Sequence, residues 1–72
     1  MIRLVLGQYD SWRTAEKALC KLDKLNNHES KIFGACSYES LYRINDTMIY
    51  TIRRDGSRYP NEIYTLSLEI TL

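Results

Sequence analysis

Residues 63–72 read Ile-Tyr-Thr-Leu-Ser-Leu-Glu-Ile-Thr-Leu, the cleanest alternation of apolar and polar side chains in the chain. A repeat of two residues is typical of a β-strand that buries one face and exposes the other. This stretch therefore predicts a long strand, and the side chains on one face of it are expected to form part of the core. They are Tyr64, Leu66, Leu68, Ile70 and Leu72.

Shorter alternating stretches predict three further strands whose even-numbered side chains face the same way. These strands lie at residues 2–6, 42–44 and 48–52. Gly7 predicts the end of the first strand. Residues 31–38 are a weaker candidate strand because Gly34 interrupts them.

A hairpin turn is predicted at Asn45-Asp46-Thr47, between the second and third of these strands. A two-residue loop and a three-residue loop would pair the two flanking strands in registers that differ by one residue. The three-residue loop places Tyr42 opposite Tyr50 and gathers the apolar side chains on one face. We therefore expect the three-residue loop, because a shift of one residue would turn that face toward solvent.

A helix is predicted to start near Trp12, with Asp10 or Ser11 as its N-cap, and to end at Asn26-Asn27. Its apolar stripe consists of Trp12, Ala15, Ala18, Leu19, Leu22 and Leu25. One such stripe can cover one face of a sheet. We therefore predict a single domain over residues 1–72 with an α+β fold, in which one amphipathic helix packs on a four-stranded, mainly antiparallel sheet in the order β-α-β-β-β.

The composition excludes several classes of protein. Ten Lys and Arg residues against nine Asp and Glu residues leave a net charge of +1, which gives no overall attraction to nucleic acid or to acidic membranes. No apolar run approaches the roughly 20 residues of a membrane helix. The first residues lack a basic leader followed by an apolar segment, so we expect a cytoplasmic protein with reduced cysteines and no membrane partner.

The residues that could carry chemistry are few. His28 is the only histidine and is expected in an exposed turn after the helix. Cys20 is expected on the polar flank of the helix, and Cys36 in the core. Phosphate-binding glycine motifs are absent from the sequence. We therefore predict no catalytic residue and no cofactor. A minimal cysteine-dependent enzyme is the least favoured of three hypotheses about function.

The leading hypothesis is a small regulatory protein that binds another protein, as an inhibitor or adaptor of the kind that phages, plasmids and bacterial operons encode. Arginine and tyrosine are enriched at the energetic centres of protein interfaces. Residues 53–61 are predicted to be a polar loop that presents such residues. The predicted partner-binding residues are Arg53, Arg54, Arg58 and Tyr59.

Two other surfaces are candidates for binding. A nucleic-acid-binding module would use the basic stripe of the helix together with the arginines of the sheet. The stripe consists of Arg13, Lys17, Lys21 and Lys24. A homodimer would use the last strand if that strand lies at a sheet edge, through Leu68, Ile70 and Leu72. The alternative is that this strand lies inside the sheet and has no free edge.

We predict that the purified chain binds no stoichiometric metal, because one histidine and two distant cysteines do not supply the close-paired ligands of a zinc site. Elemental analysis of protein prepared without chelator tests this prediction. One zinc ion per chain would contradict it.

Overall fold

The computed structural model describes residues 1–58 and 61–71 and shows a two-layer α+β fold. The elements in chain order are β1 (Ile2–Tyr9), α1 (Trp12–Leu25), β2 (Lys31–Ala35), β3 (Glu39–Arg43), β4 (Met48–Arg58) and β5 (Asn61–Ile70). The predicted helix on an antiparallel sheet is confirmed, but the sheet has five strands rather than four. The additional strand is β2, which forms despite Gly34 by pairing with β3 around a register shift.

The strands lie in the order β1-β5-β4-β3-β2, and every neighbouring pair is antiparallel. The strand β5 is therefore an inner strand, flanked by β1 and β4. The edges of the sheet are β1 and β2, which run in the same direction. The helix α1 carries the chain from one edge to the other.

The interior position of β5 is the alternative that the sequence left open, and it removes the free edge that the predicted dimer strand required. Ile70 lies opposite Ile2 of β1 on one side and opposite Met48 of β4 on the other, and Leu68 is paired on both sides as well. The main-chain groups of these residues are already used within the sheet. Leu72, the third residue of that prediction, lies outside the described residues.

The prediction that Gly7 ends the first strand was wrong. The strand β1 continues to Tyr9 through a register shift between Val5 and Gly7. Gly7 lies beneath the ring of Tyr9, where an added Cβ would be 2.7 Å from the phenol oxygen. Glycine thus permits a close side-chain approach here, as it often does inside strands.

The segment predicted as a polar loop belongs to the long hairpin of β4 and β5. The strand β4 extends to Arg58, and β5 begins at Asn61, with a register shift between Arg54 and Gly56. Aspartate, glycine and proline are depleted in strands, so Asp55-Gly56 and Pro60 predicted a loop. Pairing with β5 overrides that local preference.

The turn between β3 and β4 follows the predicted three-residue loop. Tyr42 lies opposite Tyr50, and the Ile44 amide donates to the Met48 carbonyl at 3.0 Å. The side-chain oxygen of Asn45 accepts hydrogen bonds from the amides of Thr47 and Met48, both at 2.9 Å. The asparagine side chain thus stabilises the turn locally.

The helix begins and ends where the sequence predicted. The Ser11 hydroxyl accepts a hydrogen bond from the Thr14 amide at 3.2 Å, and the chain leaves the helix through Asn27 at a φ of 59°. Ala15 and Leu19 are buried against the sheet. The other buried apolar residues are Tyr42, Tyr50, Ile52 and Leu66.

Leu25 does not belong to the core, contrary to the prediction, since it is 81% exposed. Leu25 follows Leu19 by six residues, and at about 100° per residue its side chain points about 120° away from that of Leu19 around the helix axis. It therefore lies outside the face that packs on the sheet. Within the described part of the chain, no helix is long and apolar enough to cross a membrane.

We expect Leu66→Ala to lower the free energy of unfolding by about 2–5 kcal/mol, because it opens a cavity at a fully buried position. The matched control is Leu25→Ala, which removes the same atoms from an exposed position and should change stability by at most about 0.5 kcal/mol. Chemical denaturation of both variants measures the difference. Equal losses would show that the core is not arranged as described.

Candidate functional site

A groove lies beside α1 because the helix does not cover the whole sheet. The helix packs over β1, β5 and β4. The same face of β3 and β2 is left beside it. We call the space between the helix and these strands the α1–β2 groove. Its lining includes Trp12, Glu16, Cys20, Ile32, Cys36, Tyr38, Ser40, Tyr42, Arg54 and Tyr64.

The groove consists of two clefts of about 280 and 340 Å³ that follow one another along α1 and β3. Ser40 lines the first cleft and Tyr42 the second, two residues further along the same face of β3. The Glu16 carboxylate lies where the clefts meet. It accepts hydrogen bonds from the Trp12 indole at 3.1 Å and from the Tyr42 hydroxyl at 3.3 Å.

The environment of Tyr42 reflects this arrangement. Burial, followed by the negative charge of Glu16, raises the pKa of Tyr42 to about 12. The hydroxyl is therefore protonated across the physiological range. It can donate a hydrogen bond to the carboxylate on the opposite wall of the groove, which holds the helix flank against β3.

One end of the groove is the aromatic–arginine cleft, formed by Trp12, Tyr38, Arg54 and Tyr64. The rings of Trp12 and Tyr64 meet edge to face, with centroids 6.1 Å apart. This geometry is favourable for aromatic pairs. Tyr38 is 50% exposed and presents its ring to solvent at the cleft.

Arg54 is positioned by its neighbours in the hairpin. Its backbone amide donates to the Tyr38 carbonyl at 2.8 Å, and its guanidinium lies 3.7 Å from the Glu62 carboxylate. Glu62 also accepts a hydrogen bond from the Tyr64 hydroxyl, which raises the pKa of Tyr64. The guanidinium is therefore held in place while it remains partly exposed at the cleft.

The other end of the groove is acidic. The Asp23 carboxylate accepts hydrogen bonds from the backbone amide and the hydroxyl of Ser30 through one oxygen. Its second oxygen is buried and has no hydrogen-bond partner among the described residues. Glu16 adds a second carboxylate in the middle of the groove, whereas at the far end the charge of Arg54 is paired with that of Glu62.

The predicted Arg/Tyr site is divided by the pleat of β4. Arg54 faces the helix side, opposite Tyr64, whereas Arg53 faces the open side of the sheet, opposite Thr65. Arg53 lies 3.6 Å from Asp55. The side chain of Arg58 and all of Tyr59 lie outside the described residues. Of the four predicted residues, the structure places Arg54 in the groove.

The predicted nucleic-acid surface is divided between the two layers. The helix residues Arg13, Lys17, Lys21 and Lys24 are all exposed on α1. The arginines of the open sheet face have local partners instead. Arg3 lies 3.6 Å from Glu69, and the Arg43 guanidinium lies 4.9 Å from the centre of the Phe33 ring. The basic residues thus do not form one continuous surface.

The cysteines and the histidine do not form a reactive group in the described residues. Cys20 is exposed as predicted, and Cys36 is exposed rather than part of the core. The Cys36 amide donates to the Glu39 carbonyl at the turn between β2 and β3, which places the residue at the surface. His28 is half-buried in the turn after α1, and no hydrogen bond joins it to either sulfur among the side chains described. No cluster suited to a metal ion occurs among those residues either.

Sequence reasoning missed Tyr38 and Glu16 as groove residues and assigned Trp12 and Tyr64 to the core. The spacing of Trp12 and Glu16, four residues apart, was the available signal for a contact on one helix flank. Tyr38 gave no such signal, because it lay inside the predicted strand at residues 31–38.

Comparison with protein-family models, with curated proteins and with solved structures finds no match for this chain. Any inference about function therefore depends on the chemistry of the groove and of the surfaces around it.

We predict that stability falls between pH 10 and pH 12. The pKa of Tyr42 in the folded protein, about 12, lies above its ordinary value of 10.0. The stabilisation linked to this proton is fully present below pH 10 and is lost as the pH rises toward 12. In Tyr42→Phe the fall should be smaller, and in Glu16→Gln the Tyr42 titration should move toward 10.0. Denaturation and tyrosine absorbance measured across this range check both expectations, and an unchanged profile in both variants would contradict them.

Proposed function

We propose that this chain is a non-enzymatic, cytoplasmic protein-binding module that acts as an inhibitor or adaptor by holding a segment of another protein in the α1–β2 groove. The observation that supports this most directly is the aromatic–arginine cleft. Tryptophan, tyrosine and arginine are the residues most enriched at interface hot spots. Here Trp12, Tyr38, Tyr64 and Arg54 line one concave surface.

The cleft has the physical properties of a binding site for protein side chains. Aromatic rings supply contact area at a low cost in conformational entropy. The hydrogen bond from the Arg54 amide to the Tyr38 carbonyl fixes the backbone of Arg54, and the nearby Glu62 carboxylate favours side-chain conformations that point into the cleft. A preorganised site keeps more of its gross interaction energy as affinity.

The charges of the groove favour a partner segment of defined polarity. A basic side chain fits the end at Glu16 and Asp23, and at the other end an acidic side chain can compete with Glu62 for Arg54. Apolar side chains between them would contact Tyr42 and Ile32, of which Ile32 is 58% exposed. We therefore propose an extended segment with an acidic residue toward one end and a basic residue toward the other.

Nucleic acid is the second candidate partner, and the observation that favours it is the exposed basic stripe of α1. Four cations on one helix can contact phosphates without any base recognition. Opposing this, the net charge is only +1, and the sheet arginines lie on the other layer. We therefore place this function second.

Selection of binding peptides from a random display library tests the protein-binding proposal. We expect enriched peptides to contain an acidic residue, and Arg54→Ala to weaken their binding at least about tenfold, which corresponds to 1.4 kcal/mol. The matched control is Arg53→Ala, which removes an adjacent arginine from the opposite face of the sheet. It should change affinity by less than about twofold, because that side chain lies away from the groove.

Three results would overturn the proposal: no enriched peptide, equal losses in the two arginine variants, or unchanged affinity in Arg54→Ala. A salt-titrated shift assay with DNA and RNA covers the second candidate. Binding that weakens steeply with salt, and that is lost in Lys17→Ala with Lys21→Ala, would favour nucleic acid instead.

A further inference from the structure

The strand β1 forms an apolar edge of the sheet, and the structure describes no strand on its outer side. Its apolar side chains are exposed to an unusual extent for a strand in so small a domain. Val5 is 64% exposed and Leu4 is 46% exposed, and Ile2 and Leu6 are also exposed. An exposed apolar edge with unpaired main-chain groups is a template for pairing with another strand.

The second edge of the sheet is better protected against such pairing than β1, although β1 also has a register shift, between Val5 and Gly7. The strand β2 has five residues, starts with Lys31 and is interrupted by a register shift at Gly34. Short length, lysine and bulges are the features that prevent edge-to-edge association. The strand β1 has eight residues, and its register is regular from Ile2 to Val5.

Arg3 is the one charged residue in β1, and it points away from the helix layer. Its guanidinium lies 3.6 Å from the carboxylate of Glu69 on the neighbouring strand. The charge is therefore balanced within the domain. A partner that pairs with β1 need not supply an acidic residue, so an apolar strand is sufficient.

We propose that the partner of this edge is a second copy of the chain, paired antiparallel through β1 about a two-fold axis at Leu4. In such a pair, residues directly opposite one another point to the same face. With the axis at Leu4, this residue lies opposite the partner's Leu4, and Arg3 lies opposite the partner's Val5. Moving the axis to Arg3 would oppose Arg3 to the partner's Arg3, and like charges in that position are destabilising.

The dimer joins two five-stranded sheets into one of ten strands, with both helices on the same face. Main-chain hydrogen bonds supply pairing, as in other cases of strand addition. Because a single strand contributes less than the about 800 Å² per partner of a standard interface, we expect association in the micromolar range. The two edge strands lie roughly 19 Å apart at about 4.8 Å per strand, and the α1–β2 groove lies between them, so pairing on the outer side of β1 leaves it open.

Light scattering on a sizing column, from about 10 to 500 µM protein, tests the proposal. We expect a concentration-dependent shift from 8.5 kDa to twice that mass. Leu4→Lys should raise the dimer dissociation constant at least tenfold, since it places two ammonium groups at the axis. The matched control is Leu25→Lys, which adds the same charge at an 81% exposed position outside both β1 and the groove and should leave the dimer unchanged.

Cysteine cross-linking tests the register and does not depend on the folding of Leu4→Lys. In a chain with Cys20→Ser and Cys36→Ser, oxidation of Leu4→Cys should give a covalent dimer, because opposed Cα atoms lie about 4.5–5.5 Å apart. Arg3→Cys should not cross-link, because its counterpart is displaced by two residues along the strand. A monomer at every concentration, a dimer resistant to Leu4→Lys, or stronger cross-linking through Arg3→Cys would overturn the proposal.

Discussion

The antiparallel pairing of β5 with both β1 and β4 is the constraint on which the rest of this structure depends. It buries Leu66 completely and brings the first and last strands of the chain together. The helix then packs over these three strands, where the apolar surface is continuous. The strands β3 and β2 extend beyond the helix because the helix is one element wide and the sheet has five strands. The groove is thus a consequence of covering a wide sheet with a single helix.

The same hydrogen bonds stabilise the packing of the helix on the sheet and shape the exposed surface of the groove. The Glu16 carboxylate ties Trp12 to Tyr42, so the helix flank and the sheet are joined across the base of the groove. A hydrogen-bonded carboxylate in this position holds both aromatic side chains in fixed orientations. The parts of these side chains that remain exposed are therefore already arranged for contact with a partner. The same residues serve the fold and the surface, which explains why their sequence pattern resembles that of core residues.

Local patterns in the sequence were sufficient for the helix and its cap, for the approximate positions of four strands, and for the register at Tyr42 and Tyr50. They were not sufficient for the order of the strands, because a period of two describes an inner strand and an edge strand equally well. This ambiguity is why the sequence left open whether the last strand lies at an edge or inside the sheet. The stretch after Arg53 was predicted as a loop because its polar composition reflects solvent exposure, whereas its conformation depends on pairing with β5. The residue types predicted a binding surface rich in arginine and tyrosine. Successive side chains of β4 point to opposite faces of the sheet, so Arg54 lies in the groove and Arg53 does not.

The pairing of Ile2 with Ile70 also determines how the chain must fold. Contacts between residues this far apart in sequence raise the contact order of the fold, and a higher contact order slows folding. During synthesis, β1 emerges from the ribosome long before its only neighbour in the sheet has been made. Until β5 is complete, the apolar side chains of β1 and the stripe of α1 have no sheet centre to pack against. The sheet therefore cannot form completely until β5 has been synthesised.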